Sequence, residues 1–182
     1  MDLIDTTALR EAYRALLDAA AEVADAGDRV LAPPEGEWNA DRILAHVALV
    51  TAATVGAAAS IAAGANTTYD NRPAQDTWTI DRVIERAGGS AGLRERIRCQ
   101  AESLCAFGGA ALSGPELDTP VPTLLLSHGA VLVDAPVPLR DLVNGLAVAE
   151  IPGHTEQLLA LLPQGGGRGG RAVPGRVSLP SG

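Results

Sequence analysis

Apolar residues recur at intervals of three and four along the start of the chain, which is the spacing of one buried helix face. The pattern predicts a first helix over residues 6–26. Asp5, Thr6 and Thr7 offer side-chain caps for its first turn. Gly27 ends it, because glycine favours the residue just past a helix. The buried stripe consists of Leu9, Tyr13, Leu16, Leu17, Ala20 and Val23.

A second helix is predicted from near Asn39, and its stretch from Ile43 to Ala65 contains no Asp, Glu, Lys or Arg. The stretch is long enough to cross a bilayer. It is rich in Ala, Gly, Thr and Ser, however, which contribute little transfer free energy, and no basic cluster flanks it. We interpret it as the buried central helix of a bundle, with a membrane span as the alternative.

Three further helices and a hairpin follow. A short helix is predicted over Ile80–Arg86. Ser90 is predicted to cap a third long helix, and Gly108 and Gly109 are predicted to end it. The apolar period then changes to two in VPTLLLS and AVLVDAPV, two strands joined by a turn at His128–Gly129. Prolines bracket this hairpin and favour an exposed position at the edge of the fold. A fourth long helix begins at Pro138 or Leu139 and continues to Leu162.

The elements predict an all-α fold, a four-helix bundle with a small β-hairpin inserted between helices three and four. Residues 1–163 form this helical domain. Residues 164–182 are rich in Gly, Arg and Pro without apolar periodicity, so a flexible tail is predicted. The N-terminal stretch MDLIDTTALREAYR has early acids and no apolar run, which argues against a signal peptide and favours a cytoplasmic protein.

The amino-acid composition limits the classes of function that fit this chain. Apolar residues make up 47% of the chain but aromatics only 3%, so the core is built from Ala, Leu, Val and Ile. The net charge is -8 and every basic residue is Arg, which excludes the basic patch that nucleic acids and anionic membranes require. Cys99 and Cys105 lie six residues apart on a predicted helix and face different sides. We expect no disulfide between them, only two reduced core thiols.

The segment AEIPGHTEQLLALL, residues 149–162, contains the candidate chemistry. Glu150 and His154 are four residues apart and share one face of a helix, but Pro152 and Gly153 between them disfavour a helix. The segment is either a metal-ligand pair in a kinked helix or a helix end followed by a new start. A break would rotate Glu150 away from His154.

Histidines supply the other candidate ligands. His46 lies in the apolar second helix, where a lone His is either a satisfied core residue or a ligand. His128 is predicted to be an exposed residue of the hairpin turn. In a helical bundle, ligands from facing helices converge on one site. His46, Glu150 and His154 therefore predict a divalent metal site for Zn, Fe, Ni or Mn, with open positions for water or substrate. The alternative is that Glu150 is an exposed acid and no metal binds.

The stretch EWNADRILAHVALV, residues 37–50, resembles the second-helix signature of the DinB/YfiT-like superfamily, which includes mycothiol-dependent maleylpyruvate isomerases. In that family a Trp precedes the helix that supplies the first metal His, which matches Trp38 and His46. The last helix typically carries H-x-x-x-H-x-x-Q. The matching positions are Glu150, His154 and Gln157, so a carboxylate replaces the usual first His. Short motifs and helix order extend the resemblance to Pro163.

The resemblance implies a DinB-like metalloenzyme that uses a low-molecular-weight thiol such as mycothiol or bacillithiol. The thiolate would add to a small electrophilic substrate, as in a transferase or isomerase. Gln157 or Glu156 would orient a metal ligand. Two alternatives stay open: a metal-assisted hydrolase, and a non-catalytic, stress-related bundle that acts through protein partners. The acidic surface, hairpin and tail could also serve a homodimer interface. No nucleic-acid or membrane partner is expected.

Overall fold

The elements follow one another as a mostly helical chain with a small sheet, in a computed structural model that describes residues 5–127 and 129–163. His128 and the predicted tail, residues 164–182, lie outside the described residues. The helices are α1 (Thr7–Ala26), α2 (Ala40–Ala62), α3 (Thr77–Ala87), α4 (Ser90–Ala106), α5 (Gly114–Leu117), α6 (Leu139–Gly145) and α7 (Ile151–Ala160). The strands are β1 (Tyr69–Asp70), β2 (Pro120–Ser127) and β3 (Ala130–Pro138).

The first two helices begin and end where local chemistry dictates. The Asp5 carboxylate accepts the Thr7 amide at 2.9 Å, and Gly27 ends α1 with φ 53°. The Asn39 side chain accepts the Arg42 amide at 3.0 Å at the start of α2. Capping of this kind satisfies amides that have no partner within the helix. Both helices therefore lie within a few residues of their predicted bounds.

The second helix occupies the centre of the molecule. It packs against α4 most extensively and also against α3 and α7. Among the described helices it is the one that meets the length and composition of a bilayer span, and 61% of its most apolar window is buried. Core helices of soluble proteins meet the same test, and the packing of α2 is that of a core helix.

The last helical segment stays continuous through Pro152. The helix α6 passes into a π turn, Leu146–Glu150, which passes directly into α7. In a regular α-helix the Pro152 ring would clash with the Val148 carbonyl and would leave it without its amide donor. The wider π turn lies at this position, so the chain absorbs the proline without a break. Glu150 is the last residue of the turn.

Three local expectations are wrong in detail. Gly108 and Gly109 do not end the third long helix, because a π turn, Phe107–Ala111, carries it past both. Ser90 is its first helical residue, and Gly89 occupies the cap position. Cys99 is exposed, so it is not a core thiol. Cys105 is buried, and both cysteines are free, as expected.

The predicted hairpin lies between α4 and α6 and belongs to a larger sheet. Strand β2 pairs antiparallel with β3 and parallel with β1, which places β2 in the centre of a three-stranded sheet. Strand β1 is two residues long, too short for an alternating pattern to reveal it. Leu125 pairs with Val133 and Leu126 with Val131, so Leu132 is an extra residue in β3. Such a bulge re-aims a side chain locally.

Candidate metal centre

His46 is held on α2 with its ring almost fully buried, 5% exposed. Its Nδ1 lies 2.7 Å from the Ala74 carbonyl oxygen, which can only accept a hydrogen bond. Nδ1 therefore carries the proton. In the neutral ring, the Nε2 lone pair is left facing the interior of the site. The Trp38 ring packs beside it, with centroids 5.0 Å apart, and restricts its orientation.

His154 lies on α7 and repeats this arrangement. Its Nδ1 is 2.7 Å from Oε1 of Gln157, one helical turn further along. The amide oxygen accepts, so Nδ1 again donates, and Nε2 is directed towards the site. The two imidazole rings meet edge to face, with centroids 4.6 Å apart. Residues i and i+3 on a helix are neighbours, which is why Gln157 can reach the ring.

Glu150 joins the two rings. Its Oε1 lies 2.9 Å from Nε2 of His46 and 3.3 Å from Nε2 of His154. Hydrogen bonds with His154 and then His46 hold the pKa of the Glu150 carboxyl well below its usual range, against the opposing effect of burial. The carboxylate is therefore ionised near neutral pH.

The orientation of the rings has an electrostatic consequence. Each Nδ1 donates to a carbonyl oxygen, so a neutral ring turns a lone pair on Nε2 towards the carboxylate. Lone pairs and an anionic oxygen repel one another unless positive charge lies among them. One bound cation can supply that charge.

The donor set also fits a metal ion in chemistry and spacing. One ligand atom each from His46, Glu150 and His154 lie within 4.8 Å of one another. Donors that share one tetrahedral Zn²⁺ are about 3.4 Å apart, given bonds near 2.1 Å. Metal-bound histidines usually donate the other ring N–H to a carbonyl or carboxylate, as both do here. Small side-chain adjustments would therefore complete a site with two imidazoles and one carboxylate.

A cavity of about 370 Å³ opens beside the three residues. The loop before α2 forms one side of it, and the hairpin forms the facing wall. The extra residue of β3, Leu132, is part of that wall. The lining consists of Gly36, Glu37, Trp38, His46, Asn71, Gln75, Leu125, Leu126, Ser127, Leu132, Glu150, His154 and Gln157.

Several of these positions were missed by the sequence analysis. Asn71 is 6% exposed, and its amide both donates to and accepts from the Leu126 backbone, at 2.8 Å each. Gln75 also donates to the Leu126 carbonyl. The Ala74 carbonyl that orients His46 lies between them. These contacts join the turn after β1 to β2, across more than fifty residues, and neither periodicity nor a motif marks them.

The structure brings the three predicted ligands together. Of the two residues proposed to orient a ligand, Gln157 contacts His154, whereas Glu156 is exposed and absent from the cavity lining. His128 lies outside the described residues. No family model, curated protein or solved structure matches this chain. Its resemblance to the DinB/YfiT-like superfamily therefore depends on the motifs alone.

Proposed function

We propose that this protein is a divalent-metal-dependent enzyme in which His46, Glu150 and His154 hold the metal. The supporting observation is the convergence of both Nε2 atoms on Oε1 of Glu150 while both Nδ1 atoms donate to carbonyl oxygens. Structural ion pairs alone do not require two imidazoles fixed in this manner. A metal ion would supply the positive charge that two neutral rings and a carboxylate lack.

We also propose that the fold is a DinB-like four-helix bundle. Helices α1, α2, α4 and the segment from α6 to α7 are the long helical elements, and they pack on one another in the pairs α2–α4, α1–α7, α1–α4 and α2–α7. The ligands come from α2 and from the last segment, as a bundle-core site requires. The hairpin between α4 and α6 covers this site from one side.

A low-molecular-weight thiol is the proposed cosubstrate, and a small electrophile is the proposed substrate of a transferase or isomerase. When bound, a divalent metal lowers the pKa of a coordinated thiol or water, so that a nucleophile is available near neutral pH. The chain itself fixes the ligand rings through Ala74 and Gln157. A volume of about 370 Å³ is within the range of small-molecule sites.

Metal content tests the proposal directly. Purified protein loaded with Zn²⁺, Ni²⁺ or Mn²⁺ should retain one ion per chain after dialysis, and His46→Ala and Glu150→Ala should lose it. Glu156→Ala is the matched control, because Glu156 is an exposed acid on the same helix. Absence of stoichiometric metal in the wild type would contradict the proposal and favour a non-catalytic bundle.

Thiol dependence separates the enzymatic alternatives. Turnover of electrophiles that rises with added low-molecular-weight thiol would support the transferase or isomerase. Turnover of esters or amides without thiol would instead support a metal-assisted hydrolase, since an open metal site suits either nucleophile. Both activities should disappear in His46→Ala and persist in Glu156→Ala.

A further inference from the structure

The lining of the cavity beside the metal centre combines two chemically different groups of side chains. One group is the proposed ligand set. The other is apolar and consists of Leu125, Leu126 and Leu132 from the hairpin and Trp38 from the loop before α2. A ligand that reaches the metal would therefore place its remaining atoms among leucine side chains and an indole ring.

The neutral polar groups of the lining are largely occupied by the protein itself. The Asn71 amide bonds the Leu126 backbone through both its oxygen and its nitrogen. The Gln157 oxygen accepts from His154, and the Gln75 nitrogen donates to the Leu126 carbonyl. These groups are committed to holding the walls together, so few of them are available to solvate a charge on a ligand.

Apart from the histidines, the charged groups among the described lining residues are negative. Apart from the two histidines, the charged side chains among the described lining residues are Glu37 and Glu150, and no arginine lines the cavity. The chain contains no lysine. An anionic group placed here, away from the metal, would meet no arginine among the lining residues within 5–127 and 129–163, and Glu37 would repel it.

We infer that the cavity accepts an uncharged, largely apolar small molecule and rejects one that carries a carboxylate or phosphate away from the metal. The inference rests on the proposed function in one respect, namely which end of the ligand reacts at the metal. Its charge selectivity depends only on the cavity walls.

A metal-free comparison tests the charge selectivity by itself. The Trp78→Phe variant removes the other tryptophan, which is 71% exposed, and leaves Trp38 as the fluorescent reporter in the cavity wall. With chelator at neutral pH, para-methylbenzyl alcohol should bind about tenfold more tightly than the isosteric para-methylbenzoate. Equal or tighter binding of the benzoate, or no binding of either probe, would overturn the inference.

A charge inserted into the wall provides the matched control. Leu132→Arg places a cation on an exposed residue of the hairpin wall, and Leu159→Arg makes the same change at an exposed leucine outside the lining. Leu132→Arg should tighten benzoate binding about tenfold, while Leu159→Arg should leave it unchanged. The same response in both variants would show that the walls do not set the selectivity.

The metal-loaded protein separates this inference from the proposed function. Co²⁺-loaded protein should show a thiolate-to-metal absorption band with para-(sulfanylmethyl)benzyl alcohol at lower concentrations than with para-(sulfanylmethyl)benzoate. If no Co²⁺ binds, the proposed metal function fails, whereas the metal-free comparison still decides the charge selectivity. If Co²⁺ binds and the benzoate is preferred, the inference fails and the metal function stands.

Discussion

Glu150 decides the charge of the centre. The family that the chain resembles usually has a histidine at this position, so three neutral ligands would leave a bound divalent ion its full charge. With one carboxylate among the ligands, the total charge of the metal ion and its ligands is lower by one unit. A set of two histidines and one carboxylate is competent for several divalent metals. In the proposed site, a carboxylate at this position would therefore lower the strength of a bound metal as a Lewis acid and would still leave a competent set of ligands.

The Gln157 side chain provides a test at the residue scale. Gln157→Met keeps the length of the side chain but removes the oxygen that accepts from His154 Nδ1. Residues that hydrogen-bond a metal ligand typically contribute 10- to 100-fold in metal affinity. We therefore expect Gln157→Met to lose about that factor in metal affinity, measured by competitive chelator titration. Glu156→Met, at the exposed neighbouring position, should have no effect. Equal affinity of the two variants would contradict the orienting role of Gln157.

Lowering the pH should reduce the stability of the metal-free protein, because Glu150 becomes protonated. Its folded-state pKa is depressed, so its contribution to stability is complete above the ordinary value of 4.5 and is lost as the pH falls below it. Denaturant unfolding midpoints should therefore fall more steeply below that pH in the wild type than in Glu150→Gln. Parallel pH profiles would show that the hydrogen bonds to the histidines do not stabilise the folded state.

At the scale of elements, the π turn before α7 reconciles two conflicting demands. Pro152 cannot occupy the interior of a regular α-helix, yet Glu150 and His154 must lie on one side of a helix to meet His46. The turn widens the helix where the proline would clash and leaves the segment continuous. The distance of 3.3 Å between Oε1 of Glu150 and Nε2 of His154 shows that the pair survives.

Replacement of the proline tests this accommodation. If Pro152 strained an ordinary helix, Pro152→Ala would stabilise the protein by about 3 kcal/mol. If the π turn accommodates the proline ring, the substitution only increases the conformational freedom of the unfolded chain. The folded protein should then be less stable by roughly 0.4–1 kcal/mol. The free energy of unfolding in urea distinguishes the two, and Pro34→Ala in an exposed loop calibrates the unfolded-state effect. A stabilised Pro152→Ala variant would contradict the accommodation.

At the scale of the whole molecule, the centre ties distant parts of the chain together. His46 and Glu150 are 104 residues apart in sequence, on helices that pack in the core. A ligand that binds only this arrangement favours the folded state over the unfolded chain. Metal binding and global stability are therefore expected to be linked.

Thermal or chemical unfolding can measure this linkage. Free Zn²⁺ at about a hundred times its dissociation constant should add about 2.7 kcal/mol to the free energy of unfolding, because one site is lost on unfolding. Glu156→Ala should show the same gain, and His46→Ala should show none. A gain that persists in His46→Ala would locate the metal elsewhere.

The features that depend on local chemistry could be predicted from the order of the amino acids. Periodicity and caps placed α1, α2 and the hairpin close to their observed bounds, because apolar spacing and turn residues act over a few positions. The motifs also identified His46, Glu150 and His154 as candidates. Ligation of a metal and use of a thiol remain predictions.

How those candidates meet depends on the tertiary structure. Pro152 and Gly153 marked either a kink or a break, and the structure has a π turn there that brings Glu150 to both rings, which Ala74 and Gln157 orient. It also paired β1 with β2 and placed Leu132 in the cavity wall through a bulge. These features arise from contacts between distant segments, where packing selects among local conformations of similar free energy. Such selection cannot be inferred from neighbouring residues alone.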